Sequence, residues 1–162
     1  MSEKFSTPPE LDETLVRQLA KLADQIDGSQ QSLAAEWVRQ FNELAGTEMT
    51  FTEFQGVYGA EDHEDFVRRI LIMQRTQPQP GLGQKELVAL FERILQDPTD
   101  DAYLSHAFTT IKKTLGDDQI SDLVFWPDLY LGDGEDSSNL TPERMAQIVW
   151  QRYQKRQVND KD

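Results

Sequence analysis

Seven acids and three aromatics share one short stretch of this chain, with no cation among them. From Asp117 to Asp136 the acids are Asp117, Asp118, Asp122, Asp128, Asp133, Glu135 and Asp136, and Phe125, Trp126 and Tyr130 lie between them. Carboxylates that serve only solubility need no large rings beside them. A docking surface needs both, rings to fill desolvated pockets and charge to steer and select what docks. Ser121-Asp122-Leu123-Val124-Phe125-Trp126-Pro127 therefore reads as a protein-binding surface on a short helical turn that Pro127 ends. Leu123 and Val124 read as the residues that hold the turn down. Neighbouring side chains diverge, so Phe125 and Trp126 cannot both point inward, and at least one is expected at the surface. The same spacing also fits a plainer arrangement, in which Leu123, Phe125 and Trp126 are core and the acids a solvated loop.

Other residues that could do chemistry are too scattered to do it. His63 and His106 are the only histidines, stand on different predicted helices, and read as surface or capping residues. Asp100-Asp101 and Asp117-Asp118 are adjacent pairs whose carboxylates diverge, with no nucleophile or substrate cradle nearby. The acids between Asp128 and Asn139 lack the alternation of a calcium loop. Gly81-Leu82-Gly83 follows no strand, as a nucleotide loop would require. No catalytic residue, metal site or cofactor is expected.

Composition narrows the partner. Sixteen basic residues stand against 29 acidic ones, a formal charge of -13, which repels phosphate backbones and anionic membranes. Direct nucleic-acid binding is not expected; a basic protein partner is. With no cysteine, neither disulfides nor thiol chemistry is available, and a cytoplasmic setting is the expectation. The longest apolar run, Ile70-Leu71-Ile72-Met73, is too short to cross a bilayer, and Met1-Ser2-Glu3-Lys4 does not open like a signal peptide.

The elements that must carry the stretch are helical. Leu15, Leu19, Leu22 and Ile26 recur on one helix face, and Leu33, Trp37, Phe41 and Leu44 on a second that Gly46 ends, which predicts a hairpin. Thr50 or Thr52 can cap a short helix, and Asp62 one in which Phe66, Val67, Ile70, Leu71 and Met73 face inward. Arg68-Arg69 reads as a solvated face. Thr76 to Gly83 mixes Gln, Pro and Gly without periodicity and reads as a linker or long loop. Beyond it, Leu87, Val88, Phe91 and Leu95 predict one helix, stopped at Asp97-Pro98. Leu104, Phe108, Ile111 and Leu115 predict another, ended by Gly116. Thr141-Pro142-Glu143 opens a last helix buried through Met145, Ile148, Val149 and Tyr153. No stretch alternates with period two, so the fold class is all-α. The expected organisation is an arm (1–10), an N-terminal helical region (11–76), a linker (77–83), a helical domain (84–157) and a tail (158–162).

The segment from about Gly83 to Arg156 resembles the immunity proteins of nuclease-type E colicins and S pyocins. That family is a four-helix protein whose very short third helix carries Ser-Asp-Leu, an aliphatic residue, two aromatics and proline, matched here by Ser121 to Pro127. The spacing from Glu86-Leu87-Val88 and the acidic loop before a proline-containing helix start are also similar. The resemblance implies a four-helix domain that binds a cognate nuclease toxin beside its active site. Phe125 and Trp126, with Ser121, Asp122 and Pro127, would be the shared anchor. The preceding helix would choose the partner through Asp101, Leu104, Ser105, Phe108 and Lys112, although Leu104 and Phe108 also fit the core. The chain departs from the family in three places. Phe125 stands where a tyrosine is usual, Lys112-Lys113 where the helix is typically acidic, and the loop after Pro127 is longer. Residues 1 to 80 have no counterpart there, which leaves a second reading: the same fold as a non-catalytic regulatory module with a non-toxin partner.

Overall fold

Asp12 starts the first helix, its carboxylate accepting from the amides of Thr14 and Leu15 at 2.9 and 3.4 Å and so satisfying donors that have no partner inside the helix. The computed structural model describes residues 7–132, 137, 138 and 140–159, and among them the regular structure is helical, with no strand. Two units divide the chain, one spanning Pro9–Arg75 and the other beginning at Thr76.

The first unit holds α1 (Glu13–Ile26), α2 (Gln31–Ala45), a 3₁₀ turn (Phe51–Phe54), α3 (Val57–Ala60) and α4 (His63–Arg75). Helix α1 lies between α2 and α4. The hairpin of α1 and α2 forms as the periodicity predicts, but α2 is turned about its axis. Leu33 is 67% exposed and Leu44 is also exposed, while Ala34, Phe41 and Ala45 are buried. The two alanines leave little side chain in the contact, so neighbouring backbone can come close. Phe41 fills the remaining space against Phe54, edge to face at 4.8 Å. Met73, expected inside, is exposed as well.

Arg68-Arg69 lies on a solvated face, Arg69 exposed and Arg68 half-buried, but its charges are paired. Arg68 forks onto Glu13 of α1 at 2.7 and 2.6 Å, and Arg69 reaches Glu61 at 2.5 Å. The guanidinium of Arg68 holds the Glu13 carboxyl below its usual range. His63 is half-buried, its Nε2 3.1 Å from Asp27.

In the second unit are α5 (Gln84–Gln96), α6 (Asp101–Leu115), α7 (Ile120–Phe125), α8 (Pro127–Leu131) and α9 (Pro142–Asn159). Helix α5 packs on α9 and α6, and α7 packs on α6 and α8. Leu87, Phe91, Tyr103, Ile111, Leu123 and Val149 lie in its core. Three of the expected helix boundaries have their physical causes visible. Asp100 accepts from the Tyr103 amide at 3.1 Å, Thr141 from the Arg144 amide at 3.1 Å, and Gly116 takes the left-handed conformation (φ 76°) that closes α6. Leu95, by contrast, is exposed.

The stretch from Thr76 has no regular structure, yet it is bound to α6 and is no free linker. Lys113 Nζ donates to the Thr76 carbonyl at 2.8 Å, the Gln79 amide donates to Thr114 Oγ1 at 2.8 Å, and Leu82 is buried. His106 is buried too, 3.2 Å from the Thr76 hydroxyl, where sequence placed it at the surface. Its position one turn from Thr110 on the inner side of α6 is part of how that strap is held.

The rotation of α2 predicts unequal costs. Phe41→Ala should lower unfolding free energy by about 3–5 kcal/mol, whereas Leu33→Ala should change it by less than about 0.5 kcal/mol. Urea denaturation followed by circular dichroism checks both, and comparable losses would contradict the packing described.

Candidate partner-binding surface

Pro127 does not end the turn; it begins a second one. The Trp126 amide donates to the Asp122 carbonyl at 2.7 Å and closes α7, and the Trp126 carbonyl accepts from Leu129 at 2.9 Å and opens α8. Proline is favoured at that first helical position, because the amide it lacks would have had no partner there. The segment read as a loop from Asp128 is therefore helical through Leu131, and Gly132 (φ 67°) ends it. Asp133, Glu135, Asp136 and Asn139 lie outside the described residues.

Within α7, Ile120 and Leu123 are buried and Val124 half-buried, which holds the short helix on the core. The opposite side is left outward. Ser121 is exposed, Asp122 and Pro127 are half-buried, Phe125 is 45% exposed and Trp126 65% exposed. Both rings are therefore accessible, which removes the arrangement in which they fill the core.

On α6, Asp101, Ser105, Phe108 and Lys112 recur at four, three and four residues, one face of a helix. Asp101 and Lys112 are exposed, and Ser105 and Phe108 half-buried. Leu104 is not on that face: it is buried in the core, as its apolar neighbours Ile111 and Leu115 are. Phe108 joins the two helices, its ring meeting Phe125 edge to face at 6.1 Å. Lys112 lies 3.9 Å from Asp118, both exposed, so the cation adjoins the acidic stretch. Asp101 is the remote member, about 10 Å from Phe108 along the helix axis.

Two of the expected surface residues belong to the interior. Tyr130 is buried, its hydroxyl donating to Asp117 at 2.5 Å, and Asp117 is buried with it. The other Asp117 oxygen accepts from the Gln119 amide at 3.1 Å. Arg152 of α9 lies over the Tyr130 ring at 4.0 Å and donates to the Tyr130 carbonyl at 2.8 Å; Arg156 donates to the Leu115 carbonyl at 2.8 Å. Each guanidinium thus meets a carbonyl at a helix C-terminus, where positive charge is favoured. Asp118, Asp122 and Asp128 remain as the described acids facing outward, Asp128 accepting from the Ser137 hydroxyl.

One exposed residue was missed by sequence reasoning. Leu129, in the first turn of α8, is 73% exposed. The signal was present in Trp126-Pro127, a proline placed to open a helix, but the acids around it read as loop. Together these residues supply apolar contact, one indole N–H donor and carboxylates, the materials of a docking surface. Comparison with protein-family models, with curated proteins and with solved structures finds no match for this chain.

The buried pair makes an alkaline prediction. Burial, and then the bond to Asp117, push the Tyr130 hydroxyl above its usual pKa; burial pushes Tyr103 up to about 12. An unfolded tyrosine ionises near pH ~10. Both therefore contribute stability that is full below about pH 10 and is lost as pH rises through their folded values. Tyr130→Phe should cost about 1.5–3 kcal/mol at pH 7, since it removes the donor to one oxygen of a buried carboxylate. The variant should also lose less than the parent between pH 7 and 11. Urea denaturation at both pH values measures this, and an unchanged alkaline slope would rule out Tyr130 as its source.

Proposed function

We propose that this protein is a bacteriocin-immunity-type inhibitor that binds a basic nuclease toxin through the acidic, aromatic surface of α7 and the outer face of α6. The observation that carries the reading is the outward pairing of Phe125 and Trp126 on a short helix whose residues run Ser-Asp-Leu-Val-Phe-Trp-Pro. A nuclease must present cations to its substrate's phosphates. An acidic protein with aromatic anchors can meet that surface with steered association and slow release. Phe125, Trp126, Ser121, Asp122 and Pro127 form the anchor in this reading. Asp101, Ser105, Phe108 and Lys112 select the partner, and Leu104 supports them from the core. Inhibition is stoichiometric, needs no cofactor, and takes place in the cytoplasm.

A second reading is favoured by one observation: Pro9–Arg75 forms a unit of its own, for which the immunity family has no counterpart. In that reading the protein is a non-catalytic regulatory module whose partner is not a toxin.

A nuclease encoded beside this gene, which the immunity reading requires, would separate the two. Its activity should be abolished at one equivalent of the protein, and the association rate should fall as salt is added. Phe125→Ala/Trp126→Ala should weaken binding by about a hundredfold or more. Full inhibition by the double variant would refute the surface, and absence of an inhibited nuclease would favour the regulatory module.

A further inference from the structure

We propose that Leu129 is a third anchor, entering an apolar cleft that lies beside the cationic surface of the partner; the inference rests on the binding surface described above and extends it onto α8. Three observations carry it. Leu129 is 73% exposed, more than either ring. Its amide is bonded to the Trp126 carbonyl, which sets it one turn beyond the anchor pair. The rest of α8 is locked, with Tyr130 and Leu131 buried and Arg152 bound to the Tyr130 carbonyl. A large apolar side chain held outward on a fixed turn is preorganised for a pocket, so little conformational freedom is lost on docking.

Charge decides what kind of molecule offers that pocket. Asp122 and Asp128 flank the apolar residues in sequence, and the chain carries a charge of -13. A second copy would bring like charge to the contact, and an anionic bilayer would repel it. A cationic protein surface is complementary. Phe125 has no hydroxyl to offer, so the partner's matching region is apolar in character rather than a set of hydrogen-bond acceptors. Leu129 adds to that apolar area.

Full-length protein carrying the photo-crosslinker p-benzoylphenylalanine at position 121, 129 or, as a control, exposed position 33 tests this in lysate of the source cells. Positions 121 and 129 should label the same basic polypeptide, position 33 should not, and high salt should suppress labelling. With that polypeptide purified, Leu129→Ser should weaken affinity about tenfold, the scale of losing one buried leucine side chain, with an unchanged urea midpoint. Labelling from 121 but not 129, or an unchanged affinity for Leu129→Ser, would overturn the third anchor and leave the α7 surface standing. Labelling from neither would overturn both. An adduct at 129 with a second copy of this chain, with lipid, or with an acidic protein would overturn the partner chemistry.

Discussion

The hydrogen bond between Tyr130 and Asp117 is the constraint on which the candidate surface depends. A buried carboxylate is tolerated only where donors compensate its lost hydration, and here the Tyr130 hydroxyl and the Gln119 amide do so. The same bond ties the segment just after α6 to the end of α8, across the whole of α7. Neither α7 nor α8 is long enough to be stable as an isolated helix. Their geometry is held by what lies beneath them, Ile120 and Leu123 on the core and the Asp117–Tyr130–Arg152 group at the far end.

This arrangement explains how apolar groups can remain at the surface without collapsing inward. Phe125 is steadied by Phe108, and Trp126 serves both helices with its backbone, donating to one and accepting from the other. Because its amide and carbonyl are occupied in this way, the indole follows the joint between α7 and α8. The exposed apolar surface is therefore part of the ordered fold. Patches of this kind on soluble proteins commonly mark interaction sites.

How much of this was legible in the sequence differs residue by residue. Helix ends were the clearest, because capping chemistry is local: Asp62, Gly46, Gly116 and Thr141-Pro142 act on backbone groups within a turn of themselves. The face that α2 buries was not legible, since alanines carry little hydrophobic signal although they govern how closely helices approach. The Arg68 ion pair and the burial of Tyr130 were not legible for one shared reason. The partners of these two residues, Glu13 and Asp117, are distant along the chain, 55 and 13 residues away, and no periodicity reports a contact of that kind. Asp117 looked like one more surface acid because burial is a property of the neighbours, and the sequence does not list them. Leu129 was hidden by the opposite error, in which acids were taken as the mark of a loop although a proline had opened a helix.

Helix α6 keeps its two duties on separate residues. Tyr103, Leu104, Ala107 and Ile111 hold the core, while Asp101 and Lys112 are exposed and Ser105 is half-buried. Phe108 alone belongs to both sets, packing on the core and meeting Phe125. Substitutions at the two exposed positions can accumulate with little disturbance of the interior, so a lineage carrying this fold can change what it recognises one residue at a time. Phe108 is where that freedom stops: altering it changes recognition and packing in the same step.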